Sequence, residues 1–154
     1  MFKTSLGVFE CRQCKKRFEA CFEVPEWSYG TIPCQTAFGD QHFVVSLEEP
    51  TFNELNDALD DVAAFMSLPN DIRGRAFRNV IQMLVDQPVA QDWLLVGVNP
   101  RCPSCGTRDN GYVKMNDSVA CEAPFATFSN WGRLDALARK RVLEDVVTTL
   151  IREA

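Results

Sequence analysis

Apolar and polar residues alternate from Arg17 to Val24: Phe18, Ala20, Phe22 and Val24 against Arg17, Glu19, Cys21 and Glu23. A period of two is that of a half-buried strand. Residues 6–10 read as its hairpin partner. Pro25 to Pro33 reads as a loop punctuated by Gly30, the whole of Trp27–Asp40 as irregular, and Gln41–Leu47 as another strand. The period then changes. Thr51-Phe52-Asn53-Glu54 has the spacing of a capping box, and Phe52, Leu55, Leu59, Val62 and Met66 fall on one helical face that Pro69 ends. A second helix opens after Asn70 or Asp71. It buries Phe77, Val80, Ile81, Leu84 and Val85 and stops before Pro88, with Gly74 weakening its first turn. The short connection between the two predicts a helical hairpin. Residues 93–98 read as a buried strand with 111–115 as its returning partner. Residues 121–128 read as an edge strand or loop interrupted by Pro124. A last helix is expected over 132–152, its stripe of Leu134, Leu137, Ala138, Val142, Val146 and Ile151 widened by Leu143, Val147 and Leu150.

Two cysteine pairs interrupt this pattern, Cys11-Arg12-Gln13-Cys14 at the hairpin tip and Cys102-Pro103-Ser104-Cys105-Gly106 after the 93–98 run. Each is a knuckle able to supply two thiolates, and four thiolates make a closed tetrahedral zinc site with no open position for chemistry. In the second knuckle Pro103 stiffens the entry and Gly106 permits a positive-φ turn. A compact ribbon spaces its knuckles about 15–20 residues apart. Here most of the chain lies between them, so a shared ion clips the start of the chain to its later third. Cys11, Cys14, Cys102 and Cys105 are the expected metal ligands, with one structural zinc as cofactor. Neither pair sits in the βαβ setting of a redox motif. Cys21, Cys34, Cys121 and the single histidine, His42, have no knuckle spacing. The three cysteines read as small buried hydrophobes, and Cys34 with His42 lacks the third member of a catalytic arrangement.

The chain has 154 residues, enough for one domain with a real core, and no sensible cut falls between the knuckles. No stretch reaches the length of a membrane span, and the first residues are too mixed for a signal peptide. Metal-type cysteine pairs and an odd cysteine count point to a reducing, cytoplasmic setting. The net charge of −5 disfavours nonspecific nucleic-acid binding. Acids concentrate at Glu48, Glu49, Glu54, Asp57, Asp60 and Asp61, with Glu54, Asp57 and Asp61 on one side of the first helix. This run reads either as a solvated face or as a surface that docks a basic partner protein. Arg12, Lys15, Lys16, Arg17, Arg101 and Arg108 surround the knuckles. They either neutralise the −2 charge of a Zn(Cys)₄ centre or form a phosphate-binding patch with Phe9, Phe18 and Tyr112 as stacking groups. Trp27, Tyr29, Phe38 and Phe43 either anchor an interface or plug a core end. There is no phosphate loop, no metalloprotease motif and no nucleophile elbow.

At Cys11-x-x-Cys14 and Cys102-Pro-Ser-Cys105-Gly106 the chain resembles split zinc-ribbon proteins, which implies a structural metal. The resemblance covers about ten residues. It departs at Lys15, where glycine is common after the second cysteine. In type, the chain is also similar to small acidic bacterial immunity proteins that carry two such knuckles and neutralise a cognate toxin. The sequence therefore predicts an α+β fold: a zinc-tied β unit, the split ribbon, with an inserted helical hairpin and a C-terminal helix. The expected function is a non-enzymatic protein-binding module, an inhibitor or immunity protein acting on a basic toxin or nuclease through Glu54, Asp57 and Asp61. The alternative is a nucleic-acid-binding ribbon or transcription accessory protein.

Overall fold

The alternation at the start of the chain does build a hairpin. Strand β1 (Phe2–Cys11) turns through the first knuckle into β2 (Arg17–Ala20), with Phe9 opposite Phe18 and Glu10 opposite Arg17. The computed structural model describes residues 2–21, 31–46, 48, 50–88 and 92–153. The expectations for Phe22, Glu23, Val24, the 25–30 loop, Trp27, Tyr29 and Glu49 lie outside these. Among the described residues the architecture is mixed α+β, with two antiparallel sheets and five helices. The chain sorts into two compact units, Met1–Ser46 with Gln87–Ala126, and Leu47–Asp86 with Thr127–Ala154.

The first unit holds both sheets. One is ordered β2-β1-β6, where β6 is Asn110–Ala123. The other is ordered β4-β3-β5, with β3 Thr31–Thr36, β4 His42–Ser46 and β5 Leu94–Val96. Two expectations are corrected here. The segment after the second knuckle does not return against 93–98: β6 pairs with β1, from Cys11 opposite Asn110 to Phe2 opposite Ala123, and β5 pairs with β3. The 31–36 stretch is not irregular but the central strand of its sheet, despite Pro33. Val44, opposite Pro33, sends its backbone bonds away from β3, to the Pro124 carbonyl (3.0 Å) and from the Ala126 amide (2.7 Å). Pro33 thus occupies a non-hydrogen-bonded pair, where its missing N–H costs no bond to β4. Its carbonyl still accepts from Gly97 at 2.8 Å. Phe43, Val44 and Val45 are all buried, as are residues 33–36. Such a sheet shows no alternation, which is why β3 is hard to see in sequence.

Cys21 and Cys121 are disulfide-bonded, their Cα atoms 5.9 Å apart. This overturns the reading of three isolated small hydrophobes; Cys34 alone fits it. Burial pushes the Cys34 thiol up to about 12, and its sulfur contacts the Ile32 carbonyl at 3.4 Å.

The second unit is helical: α1 (Pro50–Asp60), α2 (Ala63–Met66), α3 (Asn70–Leu84), α4 (Ser129–Gly132) and α5 (Ala136–Glu153). The helix expected to run to Pro69 breaks at Asp61–Val62, where Val62 is extended (φ −92°, ψ 104°). Asp57, Asp60 and Asp61 crowd the negative end of the helix dipole, which favours ending it there. Helix α1 starts at Pro50, a favoured first helical position, so Thr51 lies inside the helix rather than capping it. The C-terminal helix also starts later than expected. Helix α4 ends at Gly132, and Asp135 caps α5 by accepting from the Ala138 amide at 2.8 Å. Leu55, Leu59, Phe65, Val80, Ile81, Trp131, Leu143, Val146 and Val147 are the buried apolar positions of this unit's helices with Ala76. Leu137 and Ile151, expected in the core, are exposed.

Candidate metal centre

Each knuckle is a tight turn with the same backbone bonding. In the first, the Lys15 amide donates to the Cys11 carbonyl (2.9 Å) and the Cys11 amide to the Lys16 carbonyl (2.9 Å). In the second, the Gly106 amide donates to the Cys102 carbonyl (2.9 Å) and the Cys102 amide to the Thr107 carbonyl (2.8 Å). The residue after the second cysteine is left-handed in both, Gly106 at φ 76° and Lys15 at φ 65°. The glycine expectation thus holds for Gly106. Lys15 adopts the same turn with a Cβ in place, a conformation that costs a non-glycine residue about 1–2 kcal/mol.

Pairing of β1 with β6 brings the two turns together, because Cys11 ends β1 and faces Asn110, the first residue of β6. The Arg12 amide donates to the Asp109 carbonyl at 3.0 Å, and its guanidinium pairs with the Asp109 carboxylate at 2.9 Å. The Sγ atoms of Cys11, Cys14, Cys102 and Cys105 all lie within 4.8 Å of one another. Two of the cross-knuckle contacts are Cys11–Cys105 at 3.4 Å and Cys14–Cys102 at 3.7 Å. An ideal tetrahedron with 2.3 Å metal–sulfur bonds has sulfur–sulfur edges of about 3.8 Å, so this group could hold a metal ion. Cys11 and Cys102 are buried, Cys14 half-buried and Cys105 exposed.

The sulfurs of Cys11, Cys102 and Cys105 lie close enough that these three titrate as a set. The Cys105 backbone N–H, with that of Ser104, holds the Cys102 thiol down to about 6 against the opposing effect of burial. The Cys14 N–H lowers Cys11 in the same way, contacting its sulfur at 3.4 Å. The Thr107 N–H favours the Cys105 thiolate, but partial loss of hydration at the sulfur and the three neighbouring sulfurs push Cys105 up to about 11. N–H groups aimed at sulfur favour the thiolate form that binds metal.

A polar network that sequence reasoning missed seats the second knuckle on the β4-β3-β5 sheet. Gln35, only 2% exposed, accepts through Oε1 from the Arg101 amide (3.0 Å) and from the Arg108 guanidinium. Arg108 also donates to the carbonyls of Asn99 (2.9 Å) and Thr36 (3.3 Å), and Asn110 Nδ2 to that of Pro100 (2.6 Å). Arg101 pairs with Asp40 at 3.0 Å and donates to the Phe38 carbonyl at 3.2 Å. Nothing in the local pattern marks Gln35, which stands between Cys34 and Thr36 in a wholly buried stretch. Of the basic rim, Arg12, Arg101 and Arg108 thus have intramolecular partners, and Arg17 lies 3.9 Å from Glu10. Lys15 and Lys16 remain exposed. Phe9 stacks on Phe18 (5.7 Å) and meets Tyr112 edge-on (5.9 Å), forming a small core on one face of the sheet.

Of the loop aromatics, Phe43 is buried. Phe38 is 66% exposed and sits 6.4 Å from Trp93, itself 52% exposed. Asp92 fixes this tip by accepting from the amides of Phe38 (3.0 Å) and Gly39 (2.9 Å). In the helical unit, Glu54 pairs with Arg139 at 3.2 Å, and Arg139 lies over the Trp131 ring at 4.9 Å. Asp57 and Asp61 are exposed one turn apart. Glu54 and Asp61 line a recess of about 310 Å³ with Trp131, Arg139 and Lys140, so bases from α5 share this face with the acids. No helix among the described residues is long and apolar enough to cross a membrane. No family model matches the chain, and neither a curated protein nor a solved structure matches it.

Proposed function

We propose that this chain is a zinc-stabilised, non-enzymatic protein-binding module of split-ribbon type, folding as a single domain around one ion held by Cys11, Cys14, Cys102 and Cys105. The observation that carries this reading is the four-sulfur group on two knuckles of matched backbone bonding. A closed Cys₄ set binds zinc for stability and leaves no position for substrate. Exposed, pinned aromatics support the binding half: Phe38 and Trp93 are the kind of side chain that anchors protein interfaces. The partner on this reading is a basic protein, such as a toxin or nuclease that the module neutralises, met by Glu54, Asp57 and Asp61. Internal pairing of Arg12, Arg101 and Arg108 weighs against the nucleic-acid alternative, which would rely on Lys15, Lys16 and Arg17. Localisation draws on two opposed features. Metal-type cysteine spacing argues for the cytoplasm, whereas the Cys21–Cys121 bond is of a type that persists in oxidising compartments.

Affinity purification from the native organism tests the class, with a stoichiometric protein partner as the expected result. Reversing Glu54, Asp57 and Asp61 to Lys should slow association with that partner and weaken its salt dependence. If the reversal leaves binding intact while the same change at Lys15, Lys16 and Arg17 abolishes it, the interface is on the knuckle rim instead.

A further inference from the structure

Helices α3 and α5 leave between them a trough of about 610 Å³. Its walls follow helical spacing on both sides: Ile72, Ala76 and Asn79 at i, i+4 and i+7 on α3, and Val147, Leu150 and Ile151 at i, i+3 and i+4 on α5. Ile72 and Ile151 are 38% and 41% exposed, so the apolar lining opens directly to water. The volume falls in the range of ligand sites, about 300–1,000 Å³. Arg75 is the charged residue on the lining, and no carboxylate among the described residues lines it. Asp71 lies 4.0 Å from Arg75, with both side chains about three-quarters exposed, a contact worth little in water. Arg78 continues this basic rim three residues along α3 and is exposed.

We propose that this trough docks the apolar face of an acidic amphipathic helix from another protein. Two side-by-side helices with i, i+3/i+4 ridges present grooves into which a third helix packs. The apolar floor would take its Leu- or Ile-type anchors, while Arg75 and Arg78 select Asp or Glu at the flanking positions. The proposal takes from the protein-binding reading only the class of partner, and depends on neither the metal nor the acids of α1.

The test is selection of a phage-displayed library of helical peptides, about 16 residues long so that they span the trough, on the purified full-length protein. Affinities of the enriched peptides are then measured by fluorescence anisotropy. The expected sequences carry apolar residues at i, i+3 or i+4, and i+7, with acids beside them. Ile72→Asp with Ile151→Asp should weaken them about tenfold or more, and Arg75→Glu with Arg78→Glu should weaken them and remove their salt dependence. Reversal of Glu54, Asp57 and Asp61 should leave them unchanged, so this proposal and the α1 reading fail separately. Helical circular dichroism and metal content should match the parent protein. If the double Asp variant does not fold, Asn79→Trp, which fills the trough from an exposed position, replaces it. The proposal is overturned if no peptide is enriched, if the enriched peptides are basic or Pro-rich, or if they bind the variants equally. It is also overturned if sedimentation shows a dimer that these variants dissociate, since a second copy would then cover the trough.

Discussion

The two knuckles share their backbone hydrogen bonds and their left-handed exit residue, yet they differ in how that exit is filled and in how they are anchored. The second uses Gly106, where a Cβ would meet nothing within 4 Å, and is seated by Gln35, Arg101 and Arg108. The first uses Lys15 and belongs to a β-hairpin, where cross-strand pairing of β1 with β2 fixes the turn from both sides. The difference shows that a knuckle of this shape needs the left-handed geometry rather than glycine itself. A hairpin can impose that geometry on an ordinary residue, whereas a knuckle carried by a loop relies on glycine.

The largest effect should come from the sulfurs. Cys102→Ser and Cys14→Ser should each abolish both zinc binding and cooperative folding, because metal binding free energy is folding free energy at such a site. Zinc released by a mercurial and counted with a chromophoric chelator checks the first, and thermal melting by circular dichroism the second. Retention of the ion by one variant but not the other would mean that the knuckles do not share a centre.

Removing the disulfide should cost less and leave the metal alone. Cys21→Ser with Cys121→Ser opens a link between residues 100 apart in sequence, which should lower stability by about 2–4 kcal/mol in urea unfolding. A drop in zinc content would show that the far end of the sheet helps to hold the knuckles. The exit residues sharpen the comparison further. Gly106→Ala should destabilise by about 1 kcal/mol through backbone conformation, since there is no clash to relieve. Lys15→Gly should stabilise by about 0.5 kcal/mol, relief of the left-handed strain being partly offset by the greater freedom of unfolded glycine. If Lys15→Gly is destabilising, the lysine side chain contributes something that its exposure does not reveal.

Legibility in the sequence followed how local each signal was. The knuckles were readable because ligand chemistry fixes residue type and spacing over a few positions. The face of α3 with Ala76, Val80 and Ile81 was readable in its Val80 and Ile81 because one helix records its own burial. Strand β3 was not, since a strand buried on both faces loses its alternation and Pro33 counted against it. The partner of β6 could not be inferred from adjacency, because β1 lies about a hundred residues away and the shorter-range return from 93–98 competed with it. Cys21 and Cys121 carry no spacing rule at all; only the pairing of β1 with both β2 and β6 brings them together. The break at Asp61–Val62 was present in the acidic run, but the apolar periodicity through Met66 masked it.

The β1–β6 ladder starts beside the cysteine cluster, where Cys11 faces Asn110, and near its other end the Cys21–Cys121 bond ties the residue after β2 to β6, close to the pairing of Thr4 with Cys121. Between these points it is not regular. Residues 117–119 fall outside the pairing where Ser5 meets Ala120 and Leu6 meets Asn116. A strand held only by its ladder can slip by a residue and turn its faces over, and the covalent link at Cys121 opposes such a slip in β6. The middle of β6 is thereby released from the task of keeping register. Lengthening the chain at 117–119 should be absorbed as a larger bulge, which makes this stretch a practical place to insert a fluorophore site or an epitope.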